Sequence, residues 1–101
     1  MAELSWSERS LADVEEIYDY IAADSAIYAR YQVENIIGSV ERLIRFPESG
    51  RHLPEFPYLP HREVISGNYR IVYRYDSGSD MINIVTVVHG RRLMREKELS
   101  E

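Results

Sequence analysis

Apolar side chains recur every three or four residues through the first half of the chain, which is the spacing of amphipathic helices. The first such run extends from Ser7 to about Ala23, and the second begins at the cap residue Ser25 and ends before Pro47. Acidic residues of the first run fall between the apolar positions, on the side that faces solvent. Two helices joined by a tight turn form an antiparallel hairpin, which needs another surface to cover its apolar stripes.

The second half of the chain alternates as strands do. Residues 69–75 place the tyrosines on one face and the two arginines on the other, and a polar turn follows at 76–80. The run from Met81 to Val88 is β-branched enough to be a strand buried on both faces. Shorter strands are predicted at residues 2–6 and 61–65. The predicted core is Leu4, Trp6, Leu11, Val14, Ile21, Val33, Ile36, Val40, Leu43, Ile71, Tyr73, Ile84 and Val87.

These elements predict an α+β fold in the order β-α-α-β-β-β. The helical hairpin packs on one face of a mostly antiparallel, four-stranded sheet. All four prolines lie between Phe46 and Pro60, which indicates an ordered connector over the core. We expect one domain, residues 1–101, with a core at 1–92 and a short helix or mobile tail at 93–101. The pattern does not give the position of the first strand in the sheet.

Composition excludes several kinds of chemistry. The chain has 101 residues and no cysteine, so it is expected to have one core, no disulfide and no thiolate metal site. Its His, Asp and Glu residues lack the spacing of known metal motifs, and we expect no metal and no cofactor. No apolar run approaches the ~20 residues of a membrane span, and no signal peptide is evident, which predicts a cytoplasmic protein without membrane contact.

The formal net charge of −5 conceals an asymmetry along the chain. Residues 1–50 hold ten acids and four bases, whereas residues 61–101 hold seven bases and six acids. Domains that bind nucleic acid through phosphates usually carry a broad basic face, so direct sequence-specific DNA binding is not expected. The local cluster of His89, Arg91 and Arg92 suits one acidic partner.

The chain resembles the RelE/ParE superfamily of small bacterial toxins from type II toxin-antitoxin systems, also called plasmid-stabilisation proteins. The matching segments span nearly the whole chain in the same order: LADVEEIYDYIA at 11–22, Leu43 with Phe46-Pro47 and Gly50-Arg51, Arg62-Glu63, YRIVY at 69–73 and HGRR at 89–92. The resemblance implies growth arrest and a cognate antitoxin protein. Antitoxins of such toxins wrap them and often extend the edge of the sheet. We expect this partner near the last strand and the tail.

Members of this superfamily have one of two activities. RelE-like toxins are enzymes that cleave messenger RNA on the ribosome, whereas ParE-like toxins inhibit DNA gyrase by binding it. Metal-free RNA cleavage needs a base, an acid and several cations around the phosphate. RelE-like members carry a lysine-rich segment before the second strand and an arginine near the turn. Here the connector has no lysine and the residue before Ser66 is Ile65, which favours the ParE-like activity.

The two activities use overlapping residues. A gyrase inhibitor needs no catalytic group, and its target-binding residues are predicted to be Arg51, Arg70, His89, Arg91 and Arg92. In the alternative, His89 is the acid or base and Arg62, Arg70, Arg91 and Arg92 surround a phosphate. A third possibility is an inactive member that only binds the antitoxin. Arg70 also has a purely structural interpretation: its stem covers apolar neighbours, or it pairs with Glu63 or with an acid near the N-terminus. Arg91 and Arg92 have another, as contacts of an acidic antitoxin.

Overall fold

A computed structural model describes residues 1–100. Its elements follow the predicted order, with an additional short strand in the connector. They are β1 (Glu3–Trp6), α1 (Glu8–Ala22), α2 (Ala26–Arg42), β2 (Arg51–His52), β3 (Arg62–Ser66), β4 (Tyr69–Asp76), β5 (Met81–His89) and a 3₁₀ helix at Glu96–Leu99.

Serine side chains start both helices. The hydroxyl of Ser7 accepts a hydrogen bond from the backbone N–H of Ser10, and that of Ser25 accepts one from Tyr28. Each bond satisfies a donor that the first helical turn leaves free. The two helix starts predicted from these serines are therefore confirmed.

The sheet has the strand order β1-β5-β4-β3-β2. β1 pairs in parallel with β5, and the other neighbours are antiparallel. The predicted α+β class, with helices on a mostly antiparallel sheet, is confirmed. Within residues 1–100 the sheet has five strands and not the predicted four, because Arg51 and His52 of the connector pair with Glu63 and Arg62 of β3.

Two apolar clusters lie on opposite faces of the sheet. The helices cover the first cluster, which includes Ile36, Val40, Ile71 and Tyr73. The connector and the C-terminal segment cover the second, which consists of Leu53, Val72, Val85, Val88, Met94 and Leu99. Most of the predicted core is buried or packs against it, but Leu11 is 55% exposed, so its assignment to the core is wrong. Its position on α1 faces the groove between the helices instead of the sheet.

The C-terminal segment packs on the body of the protein. Met94 and Leu99 are buried in the second cluster, whereas Leu93 is 81% exposed. Met94 therefore packs against the protein itself and is not exposed to the antitoxin that we expect near the tail. None of the helices in residues 1–100 is long and apolar enough to cross a membrane.

Gly50 lies where the connector passes closest to the sheet. A Cβ at this position would stand 2.6 Å from the Tyr73 hydroxyl and 2.7 Å from the Glu63 carbonyl oxygen. The same hydroxyl accepts a hydrogen bond from the Gly50 N–H and donates one to the Pro47 carbonyl. The connector therefore approaches β3 and β4 only with glycine here.

We expect Gly50→Ala to lower the free energy of unfolding by about 2–3 kcal/mol, because the buried ring of Tyr73 and the backbone must move apart. Urea denaturation followed by circular dichroism measures this change. Gly38→Ala is the matched control, since a Cβ at Gly38 meets no atom within 4 Å. Equal stability of Gly50→Ala and the parent protein would contradict the tight approach.

Candidate functional site

The turn that follows β5 presents the basic cluster. Its geometry is fixed by backbone hydrogen bonds, from Gly90 N–H to the Asn68 carbonyl at 2.7 Å and from Arg92 N–H to the His89 carbonyl at 3.0 Å. The Arg91 N–H donates to Nδ1 of His89 at 3.2 Å. Because Nδ1 accepts this bond, the neutral tautomer of His89 carries its proton on Nε2.

The three side chains of the cluster differ in the contacts that they make with the rest of the protein. Arg92 forms an ion pair with Glu98, at 2.8 Å between Nη2 and Oε2. The side chain of Arg91 is exposed and forms no salt bridge within the described residues. The His89 ring contacts Tyr69 edge-on, with 5.7 Å between centroids. Arg91 is thus the cation most available to an acidic partner.

A cleft of about 340 Å³ opens beside this turn, between α1 and the end of β5. Asp13 lies in it but is engaged, because its carboxylate accepts hydrogen bonds from the Thr86 hydroxyl and the Val87 N–H. The bond to Val87 gives a hydrogen-bond partner to the edge of β5 beyond the residues that pair with β1. The lining residues are Asp13, Glu16, Ile17, Tyr20, Tyr69, Val87, Val88, His89 and Arg92.

Exposed tyrosines lie near this cleft and are absent from the site predicted from the sequence. Tyr20 is 81% exposed, and Tyr28 and Tyr31 are stacked with ring centroids 6.3 Å apart. Burial raises the pKa of Tyr69, and its neighbours Tyr20 and Tyr28 add to the rise. The available signal was that these tyrosines lie outside the apolar stripes of α1 and α2, where a large aromatic side chain has no core to fill.

Arg70 occupies a different environment from the other predicted cations. It is 5% exposed, and its guanidinium binds Glu63 at 2.6 Å and Glu55 through two bonds of 2.7 Å. Arg51 contacts the other oxygen of Glu63 at 2.7 Å. Arg70 was predicted to bind a target, but its charge is directed inward to two carboxylates. The ion pair with Glu63 considered from the sequence is present.

Arg62 lies far from the basic cluster. It pairs across the sheet with Tyr73, whereas His89 pairs with Tyr69. Four residues along β4 correspond to about 13 Å, and β3 and β5 are about 10 Å apart across the sheet. The Arg62 guanidinium donates to the carbonyl oxygens of Glu48 and Gly50. It therefore stabilises the connector beside the middle of β4, away from the basic cluster.

The fold thus brings together three of the six predicted site residues, His89, Arg91 and Arg92. Arg62 lies apart from them, and its guanidinium lies near Glu48. Arg70 lies beneath the turn and donates to the Arg92 carbonyl, but its guanidinium, like that of Arg51, is ion-paired with Glu63. The three clustered residues supply two cations and one imidazole, which is an arrangement suited to binding an anionic or hydrogen-bond-accepting surface. In the part of the chain that the structure describes, no group of three or more His, Asp or Glu residues could hold a metal ion.

The fold lowers the pKa of the Glu55 carboxylate. Hydrogen bonds from Arg70 lower its pKa from 4.5 to about 2. A carboxylate with a lower pKa in the folded state than in the unfolded chain stabilises the fold fully above pH 4.5, and this contribution disappears as the pH falls towards 2. The Glu55 carboxylate is therefore a source of acid sensitivity.

We expect Glu55→Gln to lower the free energy of unfolding at pH 7 by about 2–3 kcal/mol, because the paired carboxylate is lost. The difference from the parent protein should shrink as the pH is lowered from 5 to 2.5. Urea titrations at several pH values measure it. A difference that is constant across this range would show that the Glu55 charge does not contribute.

Comparison with known proteins supports a common origin for most of the chain. Residues 4–94 match the sequence profile described as "ParE toxin of type II toxin-antitoxin system, parDE". The chain is similar to "Toxin RelE2" of Caulobacter vibrioides, with 30% identity over 97 residues that cover 92% of this chain and all of that protein.

Solved structures share the fold. The chromosomal ParDE toxin-antitoxin system from P. aeruginosa contains a chain with a TM-score of 0.69 and 22% identity, covering 88% of this chain and 96% of that chain. The RelBE2 toxin-antitoxin complex from Mycobacterium tuberculosis contains one with a TM-score of 0.65 and 18% identity, covering 87% and 96%. The intact E. coli RelBE complex gives 0.63 and 17%, covering 91% and 100%.

Proposed function

Because this chain belongs to the ParE toxin family of type II toxin-antitoxin systems, we propose that it inhibits DNA gyrase by binding it. Its basic turn, His89 to Arg92, is the target-binding surface in this proposal. A cognate antitoxin neutralises the toxin. Arg91 makes the main contact with the target, because its charge is exposed and unpaired within the described residues.

One observation carries the choice of gyrase over messenger RNA. The cations that would surround a phosphate in an RNase site do not converge, because Arg70 is buried between two carboxylates and Arg62 pairs four residues further along β4 than His89 does. RNA cleavage needs several cations together with a base and an acid. Binding to a protein target needs only an exposed patch with anchoring residues, for which arginine is well suited.

The antitoxin is proposed to add a strand to the sheet beside β3. The short β2 pairs only with Arg62 and Glu63, so the outer side of Val64–Ser66 has no partner strand within residues 1–100. Ile65 and Leu93 are exposed apolar side chains on a groove of about 360 Å³ at the same place. An unpaired edge beside apolar side chains suits an extended apolar peptide segment. The matched ParDE and RelBE chains belong to toxin-antitoxin systems, which supports such a partner.

A ribosome-dependent RNase is the second candidate. His89 is exposed and lies next to Arg91 and Arg92, and histidine is the side chain that most often serves as a general acid or base. In this case His89 would act on the messenger RNA while Arg91 and Arg92 bind its phosphate. The name of the Caulobacter relative, RelE2, is compatible with this activity.

Parallel assays with the purified protein test the proposal. We expect inhibited supercoiling and accumulated cleaved DNA with gyrase, and intact messenger RNA on programmed ribosomes. Messenger RNA cuts together with normal gyrase activity would replace the proposal by the RNase function. Activity in neither assay, with no growth arrest on induction, would indicate a family member that only binds its antitoxin.

A further inference from the structure

A buried ion-pair cluster lies directly beneath the basic turn. We call it the Arg70 clasp, and it consists of Arg70, Glu55 and Glu63. Arg70 donates to both carboxylates, and its side chain is 6% exposed while that of Glu63 is fully buried. The clasp joins the connector, which carries Glu55, to β3 and β4.

The clasp also contacts the backbone of the segment that follows the turn. Nη1 of Arg70 donates to the Arg92 carbonyl at 3.2 Å, and the Met94 N–H donates to Oε2 of Glu55 at 3.4 Å. The other side of the turn is held by Gly90 N–H on the Asn68 carbonyl. The segment from Arg91 to Leu93 is therefore anchored at both ends, while its side chains remain exposed.

The hydrogen bonds from the Arg70 clasp to Arg92 and Met94 set the direction in which the backbone leaves the turn, and they bury little additional surface. A turn anchored only at Gly90 could leave the sheet in several directions, and Arg91 would be presented in an ensemble of positions. Ordering such a flexible segment on binding costs free energy. A segment that is already ordered in the folded protein does not incur this cost when it binds. Arginine suits this position because its planar group reaches two carboxylates and a carbonyl together, which an ammonium group cannot do with the same geometry.

We propose that Glu55 and Arg70 are positioning residues, which act through the backbone at Arg92 and Met94 to hold Arg91 in its binding orientation. This inference rests on the proposed function in assigning target binding to the turn. It gives Arg70 an indirect part in toxicity, in place of the direct target contact that the sequence suggested. Glu55 has no counterpart in the predicted site.

Glu55→Gln is the informative variant. A neutral amide has one acceptor oxygen and two donor hydrogens, so it cannot bind Arg70 with both ends and also accept from the Met94 N–H. Glu48→Gln is the control for charge, since Glu48 is 70% exposed and lies 3.7 Å from Arg62. Val40→Ala, in the helix-covered core, is the control for lost stability.

Three measurements apply to each variant: amide hydrogen exchange at residues 91–94, growth arrest on induction, and gyrase inhibition by the purified protein. For Glu55→Gln we expect faster exchange in this segment and about tenfold weaker inhibition, the ratio that corresponds to loss of one hydrogen bond to a charged group. Both controls should keep the parent exchange rates at 91–94 and the parent inhibition. Growth arrest should weaken in Glu55→Gln only.

Unchanged exchange at residues 91–94 in Glu55→Gln would overturn the inference. It would also be overturned if Glu55→Gln kept full toxicity, or if Val40→Ala lost as much toxicity, because the effect would then be stability alone. Failure of the gyrase proposal is distinguishable, since the parent protein would not inhibit gyrase. Hydrogen exchange and growth arrest would still test the positioning role of the Arg70 clasp. If the parent protein were not toxic, hydrogen exchange alone would test it.

Discussion

The double variant Arg91→Ala, Arg92→Ala should lose toxicity while keeping its fold. We expect gyrase inhibition to weaken by at least about 100-fold, which corresponds to two arginine anchors of moderate strength at a protein interface. Arg91 is exposed and unpaired among residues 1–100. Arg92 forms an ion pair with Glu98, whose side chain is 13% exposed and keeps Arg9 at 3.7 Å as a second partner. The free energy of unfolding should therefore change by less than about 1 kcal/mol.

The comparison needs a control that removes the same charge from the same segment. Arg95→Ala, Lys97→Ala is suitable, because both side chains are exposed and lie outside the turn. This control should inhibit gyrase as the parent does. A folded, fully toxic Arg91→Ala, Arg92→Ala protein would remove the turn from the target-binding surface. Equal losses in both double variants would instead indicate a general electrostatic attraction.

Arg70→Met should have the largest effect on stability. Methionine fills the volume of the arginine stem but leaves Glu63, which is fully buried, and Glu55 without their shared cation. Removing one partner of a buried ion pair typically costs about 3–5 kcal/mol, because the remaining charge stays buried. We expect a loss of this size in urea denaturation, accompanied by loss of toxicity.

Arg74→Met is the matched control, since Arg74 lies on the same strand but is exposed. It should change stability by less than about 0.5 kcal/mol. If Arg70→Met were as stable as the parent and still lost toxicity, Arg70 would act on target binding and not through stability. A large loss of stability in Arg70→Met alone would support its structural role.

Combining Arg70→Met with Glu55→Gln and Glu63→Gln separates charge from packing. Neutralising all three groups removes the unpaired buried charges, so part of the stability lost in Arg70→Met should return. Toxicity should not return in the triple variant, because Arg92 and Met94 would still lack their anchors. This non-additivity would indicate that the clasp works as one unit.

The sequence by itself determined both helices, four of the five strands of residues 1–100 and their order. Local signals were sufficient where the chain satisfies its own backbone or buries one repeating face, as at the serine caps of both helices and the alternating strand Tyr69–Asp76. The order of short motifs was enough to indicate the superfamily, which the family match over residues 4–94 confirms. The position of the basic turn at the end of the last strand also followed from sequence.

Only the tertiary structure decided which cations are free. Arginine at a strand position has the same local pattern whether it faces solvent or a carboxylate from a distant segment, and Glu55 lies 15 residues before Arg70. The parallel pairing of β1 with β5 and the fifth strand are likewise long-range choices, set by which edge the folded sheet leaves open. Ion pairs and strand pairings of this kind join segments that are distant in sequence. Their free energy arises only when the folded chain brings those segments together.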